Sequence, residues 1–328
     1  MGEIRRRLCV LMVAAGAVAG ILAAPATAQG NYPARPVRII VPFPPGGITD
    51  VAARLYARGL AEALGQQFVV ENRPGGGTTV GAEIAARATP DGHTLFVASM
   101  ASHVVNPTLF AKLSYDPERD FRAVGQMVRT SLFLIVTPNI PVKSVMDLVE
   151  YAKARPGKIT YASAGIGSPQ HLAAELFKTR FSLDIAHVAY KGAAPALLDV
   201  VSGQVPIIFD GGTALPLARE GRVRVVATVD TQRWPYEPDI PSFAEMGVPD
   251  FRVSGFFGLV APAKTPEPIV ERLNGLVVRI AGQPDTKKRM GELGMEPVVM
   301  SRAQLEAFLR SERDRWRPII KATGAKAE

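Results

Sequence analysis

Apolar positions along the chain form short β-branched runs that alternate with longer stretches of helical spacing. Residues 37–41 make the first such run and predict a strand. Val51, Leu55, Leu60 and Leu64 then share one face of a helix predicted over 50–64. A strand at 68–70, a helix at 79–88 and a strand at 94–98 follow. The pattern changes near residue 128. A strand at 132–136 comes next, then a helix that Ser144 caps and that runs to Ala154. Strands at 159–162, 185–188, 205–209 and 223–229 alternate with helices at 169–179 and 194–202. A strand at 256–260 leads into helices at about 267–281, 286–293 and 302–322. Strand–helix alternation of this kind predicts α/β architecture with parallel, doubly wound sheets. No internal sequence repeat and no low-complexity linker interrupts it. The two crossings, near 128–132 and 251–256, read as extended strands. The chain therefore divides into two lobes, 29–130 plus 254–328 and 131–253.

The N-terminus departs from this pattern. Arg5, Arg6 and Arg7 precede an apolar, Ala-rich run from Leu8 to Ala24, and Ala26, Thr27 and Ala28 form a small-x-small cleavage signal. Residues 1–28 read as a secretory signal peptide cleaved near Ala28. The run is short for a bilayer span and ends in Pro25, which disfavours an anchor. Cys9 sits too early to carry a lipid. The arginines match a twin-arginine signal only in part, which leaves general secretion as the default route.

Composition narrows the classes further. The chain has 328 residues, of which 47% are hydrophobic and 21% charged, the profile of a globular protein with a sizeable core. Its single cysteine lies in the leader, so the exported part is indifferent to an oxidising compartment. The formal charge is +8. Basic residues are scattered, as at Arg219, Arg222 and Arg224, which together with export disfavours nucleic acid.

Chemistry is concentrated in loops that follow strands, where open α/β sheets bind ligands. The first contains Phe43, Pro44, Pro45, Gly46, Gly47, Thr49 and Asp50. Its glycines allow close backbone approach, and a helix start with free N–H groups favours an anion. Asp50 either serves that site or eases the helix dipole and pairs with Arg54. The second contains Ser163, Ala164, Gly165, Gly167, Ser168 and His171. Ser168 before Pro169 is a helix start, and the small residues suit a carboxylate or phosphate. Gln170 stands where a dinucleotide fingerprint needs its third glycine. His171 reads as a packing or loop-orienting residue. A third loop carries Ser99, Met100, Ser102 and His103, a fourth Tyr190 and Lys191, a fifth Asp210 before two glycines. The glycine run at 75–77 lacks the Lys-Ser/Thr of a P-loop and reads as structural or cleft-lining. A Gly-x-Ser-x-Gly elbow is missing, and His93, His103, His171 and His187 show no metal-ligand spacing.

These residues carry a resemblance. Tyr32-Pro33-x-Arg35-Pro36, followed by Val41-Pro42-Phe43-x-Pro45-Gly46-Gly47-x-x-Asp50, resembles the opening of the Bug, or TctC-like, solute-binding receptors. Glu71-Asn72-Arg73-Pro74-Gly75, Pro90-Asp91-Gly92-His93-Thr94, Asn106-Pro107, Tyr161-Ala162-Ser163-x-Gly165-x-Gly167-Ser168, Tyr190-Lys191-Gly192 and Phe257-Gly258-Leu259 continue it in order along the exported chain. The resemblance implies a two-lobed, type II-like periplasmic-binding-protein fold. Each lobe would be a doubly wound sheet, with two crossover strands between them. It implies a small organic carboxylate gripped by the loops at 43–50 and 163–168 through backbone amides, hydroxyls and waters. Phe43, Met100 and Tyr190 would form apolar walls, and Asp210 could meet a ligand amine. Pro44, where many relatives carry a smaller residue, stiffens the first loop and removes one N–H. The implied protein is a periplasmic, monomeric, non-enzymatic receptor with no cofactor or metal. Its partners would be membrane transporter subunits. A sensing module for a membrane kinase and an exported enzyme acting on a carboxylate are the alternatives. Dicarboxylates, tricarboxylates, aromatic acids and amino acids all remain open as ligands.

Overall fold

The computed structural model describes residues 32–190 and 192–322. The leader read over 1–28, with Cys9, lies outside the described residues, as does Lys191. The chain opens with β1 (Val37–Val41), α1 (Ile48–Leu64), β2 (Phe68–Asn72), α2 (Thr79–Ala86) and β3 (Thr94–Ser99). A wide helical turn at Ala101–Val105 runs into a short one at Asn106–Leu109. β4 (Phe121–Ser131) passes through Leu132 straight into β5 (Phe133–Val136). Next come α3 (Val145–Lys153), β6 (Ile159–Ser163), α4 (Pro169–Phe181), β7 (Ile185–Ala189), α5 (Ala193–Val201), β8 (Ile207–Asp210) and β9 (Arg224–Thr228). The last elements are β10 (Ser254–Pro262), α6 (Glu267–Gly282), α7 (Pro284–Gly291), β11 (Met295–Pro297) and α8 (Arg302–Ala322).

Two sheets form. One has six strands in the order β11-β4-β10-β3-β1-β2, the other five in the order β7-β6-β8-β5-β9. The α/β class stands, with one correction to the expected parallel sheets: both are mixed. β1 runs parallel to β2 and β3, and β6 parallel to β7 and β8. β10 pairs antiparallel with β3 and β4, and β5 antiparallel with β8 and β9. The reason lies in the connections. A parallel neighbour needs a long crossover, usually a helix. β4 and β5 are separated by one residue, so the chain extends directly from one sheet into the other. The two sheets thus share one pattern, three parallel strands and then an antiparallel one beside a fifth. This duplication left no repeat in the sequence.

The long β4 was foreseen only at its C-terminal end. Arg122, Gln126 and Arg129 interrupt its apolar run, and pairing with β10 on one side and β11 on the other supplies what its pattern lacks. The three-residue β11 was not foreseen. α7 begins at Pro284, two residues before the expected start, because proline suits the first helical position. Ser144 caps α3 as read, in a reciprocal capping box with Asp147.

Three clusters of buried side chains make the core. One lies between α1, α6 and the first sheet, another under α5 and Trp234 against the second. The largest continues from one sheet to the other and includes Leu305, Leu309 and Trp316 of α8. Each fully buried leucine contributes roughly 1.5–3 kcal/mol. α8 packs on the 101–105 turn, β4 and α4, so the end of the chain braces both sheets. The Trp316 Nε1–H donates to buried Glu312 at 2.9 Å, which satisfies both groups inside that brace.

Candidate ligand-binding site

The loops that follow β1, β3, β6 and β8 meet around a cavity of about 1150 Å³ between the two sheets. Its lining is mainly apolar. Phe43, Ile48, Ser99, Met100 and Phe257 come from the first sheet's side. Ala164, Ile166, Gly167, Ser168, Gln170 and Asp210 come from the second.

The first loop is ordered by charge. Asp50 is buried, yet its carboxylate accepts from the Gly46 N–H (3.0 Å), Arg54 Nε (2.9 Å) and Asn72 Nδ2 (3.0 Å). Asn72 also donates to the Phe43 carbonyl at 3.0 Å. Burial pushes the Asp50 pKa up, but these hydrogen bonds outweigh it and hold the carboxyl below its ordinary value. Asp50 therefore scaffolds the loop and does not line the cavity. Pro45, Gly46, Gly47 and Thr49 are not cavity-lining either; the loop contributes Phe43 and Ile48. Gly47 precedes α1 without any side-chain cap, so the helix start is left open.

The second loop is ordered by neutral groups. Ser163 Oγ accepts from the Gly165 N–H (3.1 Å) and meets His187 Nε2 at 2.6 Å. The Gly167 N–H donates to His171 Nδ1 at 3.3 Å, and the Ser168 N–H to the Gly165 carbonyl at 3.1 Å. Ser168 Oγ caps α4 by accepting from the His171 N–H at 3.2 Å. Gly165 (φ 121°) and Gly167 (φ 77°) adopt backbone that other residues rarely take. The expectation that the glycine N–H groups face a ligand is thus corrected: the loop uses them internally. The Ala164 and Ile166 N–H groups are left without a hydrogen-bond partner among the described residues, and both residues line the cavity.

Beneath this loop His171 and His187 lie with ring centroids 4.4 Å apart, and His187 stacks on Tyr161 at 4.8 Å. The Tyr161 hydroxyl donates to Glu175 at 2.5 Å, and Lys178 approaches Glu175. Burial, then the neighbouring His187, lowers the His171 pKa to about 4; burial lowers that of His187 as well. Both rings stay neutral near pH 7, which lets His171 Nδ1 accept from the loop.

The third loop splits. Ser99 and Met100 line the cavity, whereas Ser102 and His103 turn into the core. Ser102 Oγ accepts from the Ser99 N–H (3.0 Å) and contacts His103 Nδ1 at 3.0 Å. His103 packs on Phe96 and Phe121, and burial lowers its pKa to about 3. Tyr190 is corrected as an apolar wall: its hydroxyl reaches Asp199 of α5 at 2.5 Å, which draws the ring away from the cavity. Asp210 is 1% exposed and lines the cavity, accepting from Thr213 Oγ1 (2.5 Å) and Gln170 Nε2 (3.4 Å). Burial raises its pKa despite those bonds.

Sequence reasoning missed one flank of the cavity, where Leu215, Arg219, Trp234, Tyr236, Glu237 and Leu293 line it. These positions carry no motif. On the opposite flank Asn106 donates to the Gly77 carbonyl at 2.9 Å and ties the 76–78 turn to the third loop. Among the described residues no group of His, Cys, Asp and Glu could hold a metal ion, and no helix is long and apolar enough to cross a membrane.

Comparison with known proteins follows the same outline. The sequence model described as "Tripartite tricarboxylate transporter family receptor" matches residues 52–325. The protein BugT of Bordetella pertussis is 36% identical over 312 residues, covering 94% of this chain and 95% of BugT. The solved structure of R. palustris Rpa4515 with adipate has a TM-score of 0.78 and 36% identity, covering 90% of this chain and 99% of that one. MatC of Rhodopseudomonas palustris with bound malate has a TM-score of 0.73 and 35% identity, over 88% of this chain and 100% of MatC.

Proposed function

The chain belongs to the tripartite tricarboxylate transporter receptor family, and from that premise we propose that it is a periplasmic, non-enzymatic receptor. It captures a small organic carboxylate between two lobes and presents it to the membrane subunits of a transporter. The observation that supports the reading is the cavity between the sheets, lined by Ala164 and Ile166, whose N–H groups have no hydrogen-bond partner among the described residues. Ala164 and Ile166 donate to the ligand carboxylate, with Ser99 and Ser168 hydroxyls beside them. Phe43, Met100 and Gly167 shape the wall, and Asp210 accepts from a ligand hydroxyl or amine. Pro45, Gly46, Gly47, Thr49, Asp50, Ser102, Ser163, Gly165 and His171 set the loop shapes. The relatives solved with adipate and malate support a carboxylate as ligand.

In this proposal residues 1–28 are the export leader, the lobes are 29–130 plus 254–328 and 131–253, and the receptor is a monomer. Binding energy goes into closing one lobe on the other, and the closed form is what the membrane subunits recognise. The test is a thermal-shift screen of purified, refolded protein against carboxylates and their matched amides. A ligand at about 100 times its Kd adds roughly 2.7 kcal/mol to stability. A shift with an acid and none with its amide is expected. Equal shifts with both, or none with any acid, overturn the reading. Recovery of the ligand chemically changed after long incubation would favour an enzyme instead.

A further inference from the structure

Both flanks of the cavity are largely apolar. The flank beside the 76–78 turn carries Val105, Leu109 and Phe110 around the hydrogen-bonded pair Asn106 and Thr78. The other presents Leu215, Pro216, Trp234, Tyr236 and Leu293. Tyr236 and Leu293 are 36% and 40% exposed, so apolar surface is left uncovered there. Tyr236 is anchored by its hydroxyl to the Lys287 carbonyl at 3.2 Å. Trp234 lies under the Arg129 guanidinium, 5.1 Å from its ring centroid. Arg129 in turn pairs with Asp230 at 2.8 Å and Glu296 at 2.6 Å, which fixes the ring. These aromatic walls are therefore held in place.

Room is made by two glycines. A Cβ at Gly211 would meet nothing within 4 Å, and at Gly212 only Leu215 at 3.5 Å and Gly294 at 4.0 Å. Neither glycine has a positive φ, so the chain did not need glycine there for its backbone. Among the described residues that line the cavity, Arg219 is the one cation, and Glu237 holds it at 2.5 Å. A second carboxylate on this flank would meet apolar side chains and the acidic residues Glu237 and Glu292, with no free cation among the described residues that line it.

Resting on the receptor reading above, we propose that this site takes a monocarboxylate with a bulky apolar body, an aromatic or alicyclic acid, in preference to a short dicarboxylate. The carboxylate sits at the second loop. The body fills the recess between Gly211–Gly212 and the Trp234–Tyr236 wall. Every methylene-sized piece of apolar surface buried there adds about fourfold in affinity.

The test is calorimetric titration of the purified, refolded protein with benzoate, cyclohexanecarboxylate and 4-phenylbutyrate against malate and adipate. Affinity is expected to rise with apolar size and to exceed that for either diacid at least tenfold. Gly212→Leu, which fills the recess, is expected to weaken 4-phenylbutyrate at least tenfold more than adipate. Diacids binding as tightly as the apolar acids, or Gly212→Leu weakening both alike, overturn the inference while the receptor reading stands. Failure of all five acids to bind overturns that reading and this inference with it.

Discussion

Two loops flank the cavity, both rich in glycine, both joining a strand to a helix, and they are built on different chemistry. The loop at 43–50 is locked by an ion pair and amide hydrogen bonds centred on Asp50. The loop at 163–168 is locked by a serine and two neutral imidazoles. The first leaves its helix start uncapped; in the second Ser168 closes it. A shared motif at a strand end thus says where a ligand approaches, not how the loop is held. The manner of holding decides what each loop tolerates.

The largest contrast is expected at Gly167. Its φ is in the left-handed region, and a Cβ would stand 3.3 Å from Leu109 Cδ2, across from the second sheet. Gly167→Leu both strains the loop, by about 1–3 kcal/mol, and intrudes on the cavity. Ligand affinity should fall at least a hundredfold by titration, with the circular-dichroism spectrum unchanged. Retained affinity would remove the second loop from the site. Asp50→Ala comes next. It strips three donors of their acceptor, which for a charged acceptor costs roughly 1.5–3 kcal/mol. Denaturant unfolding should show that loss and titration a tenfold or greater fall in affinity. A binding loss without a stability loss would instead make Asp50 a direct ligand contact.

The smallest effect is one of pH, and it separates the loops. A histidine whose folded pKa lies below its unfolded value stabilises the fold fully above about pH 6.5. That contribution declines as pH falls toward the folded value, about 4 for His171. Asp50, with a lowered pKa, keeps its contribution until pH falls below about 3.9, the usual value for the side chain. Between pH 6.5 and 4 the second loop should therefore yield before the first, with Tyr161, Glu175 and Lys178 as the groups facing the histidine pair, and buried His103 of the third loop adds to the same decline. The melting temperature of ligand-free protein should drop across that window, and His171→Asn should flatten the drop, whereas Asp50→Asn should not. A slope unchanged by His171→Asn would refute this.

Much of the arrangement was legible beforehand because it is local. Ser168 before Pro169, Ser144 at the start of its helix and Asp50 four residues before Arg54 each act within a single helix, and short-range geometry settles their contacts. Side-chain direction was less legible. Ser99 and Met100 face the cavity while Ser102 and His103 face the core, within one helical turn. Tyr190 reads as a wall until Asp199 draws its hydroxyl aside. The Trp234–Tyr236 wall was invisible, since it faces the cavity only because Tyr236 packs on Lys287 and Gly291, more than fifty residues away.

The sequence alone thus determined the export leader as an expectation, the alternation of elements, the helix starts and the strand-end positions of the binding loops. Each depends on residues close together in the chain, where periodicity and capping chemistry suffice. Tertiary structure decided the mixed sheets, the neutral histidine support beneath the second loop, and the apolar flank that shapes the cavity. Those depend on which distant segments meet. Side-chain packing and the directness of the β4–β5 passage select them, and neither leaves a periodic mark in the sequence.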